Sequence, residues 1–201
     1  GYPLRWRAHN PTARDRVLSA RGLDGIVRDL RATELSMASE SGEKQERAMR
    51  RYDRLTAEFT AAGGYAAESE AAAIAAALGL EERILEQTLS TLSGGQRRRI
   101  ELARILFSGA QTLLLDEPTN HLDADSIAWL RDHLKSYKGG LIVISHDVDL
   151  LDVVVNKVFH LDANRAHRGV EAIAELARGA HHAVRAAAAQ RDEGVLHGEV
   201  G

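Results

Sequence analysis

The sequence predicts an α/β fold with parallel strands, joined to an all-helical block that precedes it in the chain. Two short apolar runs, residues 113–115 and 141–144, and a mostly apolar third, residues 158–161, predict the strands, and each is bounded by polar residues or glycine. Helical patterns separate these runs, so right-handed crossovers between parallel strands are expected. Residues 14–90 show helical spacing of their apolar residues instead.

The helical block is predicted to contain three helices. The first begins near Arg14, with Gly22 and Gly25 as its expected breaks. The second covers residues 43–62, where apolar and aromatic residues share one stripe and charged residues take the rest. Two glycines end it, and an alanine-rich third helix runs to about Leu78.

The α/β part is predicted to cover residues 91–164. A helix beginning at Gly94 or Gly95 precedes the first strand. A second helix covers residues 123–137 between the first two strands, and a third starts at Asp147. The first two strands are therefore expected to be buried, parallel and helix-linked.

The chain thus divides into four parts. Residues 1–13 hold two prolines and little periodicity, and are expected to be irregular. Residues 14–90 are the helical, arm-like subdomain and residues 91–164 the α/β core. In the tail, residues 165–201, alanine propensity favours a helix over residues 170–190, but its apolar stripe is weak and no packed structure is assigned.

Composition excludes several classes of protein. The 26 basic and 29 acidic residues give no global electrostatic signal for nucleic acid or an anionic membrane. The absence of cysteine excludes disulfides, thiolate metal sites and cysteine nucleophiles. The apolar runs are too short to span a bilayer and no secretory signal is visible, so a cytoplasmic protein without membrane insertion is expected.

Two adjacent carboxylates follow the first predicted strand. Asp116 and Glu117 stand where ligands bind in α/β proteins, at the carboxyl end of a parallel strand. One carboxylate could hold Mg²⁺ against nucleotide phosphates, and the next could deprotonate an attacking water. A simple boundary between strand and turn is the alternative interpretation of the same residues.

A glycine-containing helix start precedes that strand. Ser93 is a favoured N-cap, and Gly94 and Gly95 would let backbone N–H groups approach an anion at the positive end of the helix dipole. An ordinary capped helix start is the alternative. The run Arg97-Arg98-Arg99 is predicted to lie on a solvated helical face, with a nucleic-acid patch as the less favoured interpretation.

Two further polar residues each allow a functional and a structural interpretation. His146, just after the second strand, could hydrogen-bond a terminal phosphate oxygen, although a lone histidine is often structural. Asp123 is well placed to cap the helix that follows it, which would explain it without a ligand.

Together these motifs resemble one family. The order Leu-Ser-Gly-Gly-Gln, then Leu-Leu-Leu-Asp-Glu-Pro-Thr-Asn-His-Leu-Asp, then an apolar strand with Ser-His-Asp resembles the signature, Walker B, D-loop and switch histidine of ATP-binding cassette (ABC) ATPases. Asn120-His121 and the long charged helices resemble the ABC-F branch of translation factors and antibiotic-resistance proteins. The resemblance covers residues 13–164 and implies a partial P-loop NTPase-type ABC cassette with an all-helical subdomain.

The resemblance implies ATP and Mg²⁺ as cofactors, and hydrolysis by in-line attack of water. Asp116 would serve Mg²⁺, Glu117 would be the general base and His146 would read the γ-phosphate. Asn120 and Asp123 would form the D-loop at an interface with a second cassette, from the same parent chain or a second copy. The residues that would contact a nucleotide held by that cassette are Ser93, Gly94, Gly95 and Gln96.

The sequence departs from the family pattern in one respect that matters for activity. None of its four lysines follows a glycine, so the phosphate loop Gly-x-x-x-x-Gly-Lys-Ser/Thr is absent from the 201 residues. Residues 1–13 also contain no glutamine for the family's Q-loop. We therefore expect a segment of a tandem-cassette protein that is inactive as an ATPase on its own.

Three functions remain open at this point. The favoured one is an ABC-F ATPase with the ribosome as partner. A nucleotide-binding subunit of a membrane transporter is the first alternative, against which Asn120-His121 and the charged helices argue. A non-catalytic module that contacts RNA or protein is the second; the retained Asp116, Glu117 and His146 argue against it.

Overall fold

The structure, a computed structural model, describes residues 10–162, with side chains to residue 158, and the backbone of residues 165–169 and 184–189. Residues 1–9, most of the segment predicted to be irregular, lie outside the described residues. Two compact units are present. The helical unit comprises the described residues up to 109 with 121–126, and the sheet unit comprises residues 110–120 with those from 127 onward.

The helical unit confirms the predicted helices with small changes of boundary. Its core holds fully buried apolar side chains from the first, fourth and sixth helices, among them Val17, Ala75 and Ile100. Short 3₁₀ turns follow the first helix and precede the sixth. The helices are α1 Ala13–Leu18, α2 Asp24–Ser39, α3 Glu43–Ala61, α4 Gly64–Ala77, α5 Glu82–Leu85 and α6 Gly94–Phe107.

One of the two expected glycine breaks is wrong. Gly22 does end the first helical segment, with a left-handed φ of 72°. Gly25 instead lies inside the first turn of α2, which begins at Asp24. The amide groups of a first turn have no partner within their helix, so a glycine there weakens the helix less than it would in the interior.

An ion-pair cluster joins α1 to α6. Arg16, only 9% exposed, donates from Nε to Glu101 Oε1 at 2.6 Å and from Nη2 to Oε2 at 2.9 Å. Arg104 donates to the same Oε2 at 3.0 Å. Burial acts to raise the pKa of the Glu101 carboxyl, but the hydrogen bonds and charges of the two arginines outweigh it and lower that pKa below its ordinary value.

The sheet unit contains the predicted parallel pair. The first two strands pair in parallel, with Leu113 opposite Leu141 and Asp116 opposite Ile144. The sheet order is β1-β2-β5-β3-β4, and β5 runs antiparallel to both β2 and β3, so the first three strands share one direction. The elements are β1 Thr112–Asp116, α7 Ala124–Ser136, β2 Gly140–Ile144, α8 Val148–Val154, β3 Lys157–Asp162, β4 Arg165–Gly169 and β5 Val184–Ala189.

Strand β5 lies in the tail, to which the sequence analysis assigned no packed structure. Alanine propensity alone favours a helix over residues 170–190, yet residues 184–189 form a strand between β2 and β3. Helix propensity is a weak preference, and hydrogen bonds to two strand edges outweigh it here. The rest of residues 170–190 lies outside the described residues.

Burial of the first two strands also differs from the prediction. Leu113, Leu115 and Val143 are buried, but Leu114 is 67% exposed and its registered partner Ile142 is 40% exposed. Side chains alternate between the two faces of a sheet, so the pair is covered on one face only.

No helix among the described residues is long and apolar enough to cross a membrane.

The Arg16–Glu101 pair predicts a pH-dependent stability. Glu101→Gln should lower the free energy of unfolding by about 2 kcal/mol near neutral pH, because the buried Arg16 guanidinium loses its charged acceptor. Since the folded pKa of Glu101 is lowered, this stabilisation is present above the unfolded carboxyl pKa and is lost as pH falls through the folded value. Urea unfolding at a series of pH values measures both effects.

The control is Glu82→Gln, whose carboxylate is 85% exposed and 3.8 Å from Arg14. Because the Glu82 carboxylate is exposed and Arg14 keeps its shorter contact with Glu86, at 2.7 Å, the loss of this long contact should have no measurable effect. A difference between wild type and Glu101→Gln that does not shrink on acidification would contradict the prediction.

Candidate functional site

Two carboxylates stand at the carboxyl end of β1, as predicted. Asp116 is the exposed last residue of the strand, opposite Ile144 of β2. The backbone N–H of Glu117 donates to the Ile144 carbonyl at 2.7 Å, which extends the pairing by one residue. Glu117 has a φ of 46°, in the left-handed region, which costs a non-glycine residue about 1 kcal/mol. The pairing with β2 therefore holds Glu117 in a strained turn, of the kind found at functional sites.

The same edge of the sheet unit presents His146 to Glu117. The ring Nε2 of His146 lies 3.4 Å from Glu117 Oε1, and the backbone N–H of His146 donates to Oε2 at 3.4 Å. The Glu117 side chain is 19% exposed and that of His146 is 75% exposed. The backbone N–H of Asn120 donates to the Glu117 carbonyl at 3.2 Å. Glu117 thus contacts two other predicted site residues, His146 through its carboxylate and Asn120 through its backbone carbonyl.

Asp116 provides one exposed carboxylate for a cation. Among the residues with described side chains, no group of three or more His, Cys, Asp or Glu could hold a metal ion. Mg²⁺ at nucleotide sites is commonly held by one or two carboxylates, with phosphate oxygens and waters completing the octahedron. A single carboxylate at the strand end fits nucleotide-bound Mg²⁺ and does not make a protein cage for it.

The predicted signature turn begins α6 in the helical unit. Ser93 Oγ accepts from the Gln96 backbone N–H at 3.2 Å, and Gln96 Oε1 accepts from the Ser93 N–H at 2.9 Å, which makes a complete capping box. The Ser93 hydroxyl accepts in this box, so its own proton stays available for another acceptor. A Cβ placed on Gly94 would meet nothing within 4 Å, and one on Gly95 would lie 3.8 Å from His121 Cβ. The helix start is therefore open in front of Gly94.

Asp123 caps α7, as its position predicts. The Ser126 backbone N–H donates to Asp123 Oδ1 at 2.8 Å. This hydrogen bond comes first among the causes that lower the pKa of Asp123, followed by the Ser126 side chain and, more weakly, the charge of Arg99. A Cβ on Gly79, whose φ is 71°, would stand 3.0 Å from both Asp123 Oδ2 and Arg99 Nη1. The left-handed φ favours glycine at this position, and a Cβ there would lie close to both charged groups.

Arg99 is a residue that the sequence analysis placed wrongly. Arg97 and Arg98 are exposed, as a solvated face requires, but Arg99 is half-buried. Its Nη1 donates to the carbonyls of Leu78 and Gly79 at 3.3 and 2.9 Å. The sequence did contain a signal, since position 99 shares a helical stripe with two buried residues, Ala103 and Leu106, at i+4 and i+7.

Comparison with known families decides what this arrangement is. The profile of the family described as "ABC transporter" matches residues 14–120, which include the signature turn, Asp116 and Glu117. The chain belongs to the ATP-binding cassette family. It therefore carries part of an ABC ATP-binding domain, and the α/β fold class predicted from sequence is confirmed.

Individual proteins with similar sequences indicate the branch of the ABC family to which this cassette belongs. The ATP-binding protein YdiF of Bacillus subtilis (strain 168) is 40% identical over 124 residues, which are 62% of this chain and 19% of that protein. The ATP-binding protein YheS of Escherichia coli (strain K12) is 50% identical over 94 residues, 47% of this chain and 15% of that protein. The energy-dependent translational throttle protein EttA of Mycobacterium tuberculosis (strain H37Rv) is 48% identical over 82 residues, 41% of this chain and 15% of that protein.

These relatives confirm the predicted ABC-F branch. The chain spans less than a fifth of the length of each relative named here. The partial cassette inferred from its motifs agrees with this coverage. The individual roles of Ser93 to Gln96, Asp116, Glu117, Asn120, Asp123 and His146 stay predictions, as does the functional boundary at residue 91.

The Asp123 cap predicts a selective effect of two substitutions. Asp123→Ala removes the acceptor of the Ser126 N–H, so amide hydrogen exchange at Ser126 should become several-fold faster. Asp123→Asn keeps an acceptor oxygen and should preserve protection. Exchange followed by two-dimensional NMR distinguishes them, with the exposed first-turn residue Asp125, changed to Ala, as the control. Equal protection in Asp123→Ala and wild type would show that this hydrogen bond does not fix the start of α7.

Proposed function

We propose that this cassette portion binds and hydrolyses ATP together with a second cassette, in an ABC-F protein that acts in translation. The observation that supports this most is the pairing of Glu117 with His146 at the carboxyl end of two parallel strands. A carboxylate and an imidazole at that edge are the groups that phosphoanhydride hydrolysis needs for proton transfer and phosphate recognition.

In this proposal each side chain has one task. Glu117 accepts the proton of the attacking water, and its position is set by the hydrogen bond from its own N–H to Ile144. His146, with a largely exposed ring, donates a hydrogen bond to the terminal phosphate. Asp116 holds the Mg²⁺ that accompanies the nucleotide, and that ion neutralises phosphate charge when bound. Positioning and electrostatics supply most of the acceleration.

The signature turn serves a nucleotide held by the other cassette. The space beside Gly94 is open, and the N–H groups of Gly94 and Gly95, unlike that of Gln96, take no part in the capping box. Together with the Ser93 hydroxyl, these groups suit the γ-phosphate oxygens of a nucleotide that approaches from outside the chain. The partner cassette comes from the same parent chain or from a second copy.

Translation is the proposed process for two reasons. One similar protein is named a translational throttle, and the chain shares the ABC-F branch with it. The second reason is the pair of charged helices α2 and α3, which pack together with ion pairs such as Arg51 to Asp29 at 3.1 Å. These long charged helices resemble the arm of ABC-F proteins. An antibiotic-resistance role would use the same ribosomal partner, and a transporter subunit is the alternative that an experiment must separate.

The isolated chain should bind Mg-ATP weakly and release no phosphate above background, because its 201 residues contain no phosphate loop. Titration with a fluorescent ATP analogue and a phosphate-release assay measure the two quantities. Glu117→Gln is the control and should match wild type in both. Saturable binding with turnover that Glu117→Gln abolishes would contradict the inactivity of the isolated chain.

Recovery of the chain with ribosomes tests the proposed process. Purified ribosomes should carry the chain into the pellet at physiological salt, while vesicles of anionic lipid should not. Binding to vesicles without binding to ribosomes would favour a transporter subunit. Binding to neither would contradict the role in translation and leave the ATP-site assignment untouched.

A further inference from the structure

The turn that carries His146 is fixed on both sides of the histidine. Ser145, before it, is fully buried. Asp147, after it, donates from its backbone N–H to Ser145 Oγ at 3.0 Å, and its Oδ1 accepts from the Leu150 N–H at 2.9 Å. Leu150 is itself fully buried, so α8 anchors the far side of the turn.

The imidazole itself is held much less firmly than the backbone. Its side chain is 75% exposed, and its contact with Glu117 is long, at 3.4 Å. Packing of the ring therefore contributes little to its position. The direction of the ring depends on the backbone of residues 145–147, and whatever fixes that backbone also fixes the distance from His146 to Glu117.

A cation from α7 contacts this turn within the sheet unit. Arg131 Nη2 lies 3.4 Å from Asp147 Oδ1 and 3.6 Å from Asp149 Oδ2. The Arg131 side chain is 30% exposed and that of Asp147 is 19% exposed, so the pair is partly shielded from water. Nε of Arg131 is buried without a hydrogen-bond partner, so the arginine is held against the protein. The Asp147 oxygen that caps α8 is thus also the one that faces the guanidinium.

We propose that Arg131 is a positioning residue for His146: by holding Asp147, it fixes the turn that presents the imidazole to Glu117. This inference rests on the proposed function of His146, and nothing in the motifs of the chain marks Arg131. A single nitrogen of the guanidinium stands between two carboxylates, so Arg131 acts as a point charge and not as a bidentate fork. A lysine should therefore replace it in part.

The experiment compares the isotope-labelled chain with two variants by NMR. In Arg131→Leu, the His146 ring signals should shift and amide exchange at Leu150 should become several-fold faster. In Arg131→Lys, the His146 ring signals and the exchange rate at Leu150 should lie closer to the wild-type values than they do in Arg131→Leu. Lys135→Leu, which removes an exposed cation one turn later on α7, is the matched control and should change neither. Unchanged His146 signals in a folded Arg131→Leu chain would overturn the proposal.

A double-mutant cycle separates positioning from general loss of stability. In an Asp147→Asn background, which keeps an oxygen for Leu150, Arg131→Leu should shift the His146 ring no further. An equal shift in both backgrounds would overturn the proposal. If Arg131→Leu fails to fold, Arg131→Gln keeps a polar head without charge and gives the same comparison. Neither readout needs nucleotide, so failure here leaves the proposed ATP function standing, and failure of the ATP function would be seen in the nucleotide assays and not in these signals.

Discussion

Parallel pairing of β1 with β2 is the constraint on which the sheet-side site depends. Register places Asp116 opposite Ile144, so the residues that follow each strand emerge at one edge. The hydrogen bond from the Glu117 N–H to Ile144 then fixes a backbone conformation that glutamate would not adopt alone. A slip of one residue would turn the side chains to the opposite face and separate Glu117 from His146.

In the helical unit, helix α6 positions the predicted site residues, as the β1–β2 pairing does in the sheet unit. Its first residues form the capped, open turn at Gly94, and Arg99, one turn later, binds the end of α4 beside Asp123. Further along, Glu101 binds Arg16 of α1. One helix therefore orients the signature turn, approaches the predicted D-loop carboxylate and is fixed to the body of its unit. Rigid support of this kind is what a site for an external nucleotide requires.

Local signals made most of the fold predictable, and partners distant in sequence account for the rest. Ser93, Asp123 and Asp147 mark helix starts because a cap is a contact over three residues. The strand over residues 184–189 was missed because its pairing partners lie about 27 and 44 residues away, and alanine content says nothing about them. Arg131 was missed for the same reason, since its part in the site follows only from what it touches, whereas the helical stripe of Arg99 did indicate burial. The carboxylates and the histidine were singled out from sequence because they directly follow predicted strands, where ligands bind in α/β proteins.

The choice between a working half-site and a vestigial one can be argued from features that do not help folding. Glu117 keeps a left-handed φ that glycine or asparagine would adopt with less strain, and within the described part of the chain its carboxylate has polar contacts with His146 alone. The ring of His146 faces water, where burial contributes little stability. Gly94 has an ordinary φ and open space before it, so alanine would fit and would favour the helix. Each of these positions lowers stability slightly or leaves it unchanged, and each has the residue type that ATP hydrolysis needs. Together they favour a catalytic half-site over a non-catalytic module, because folding alone gives no reason for that combination.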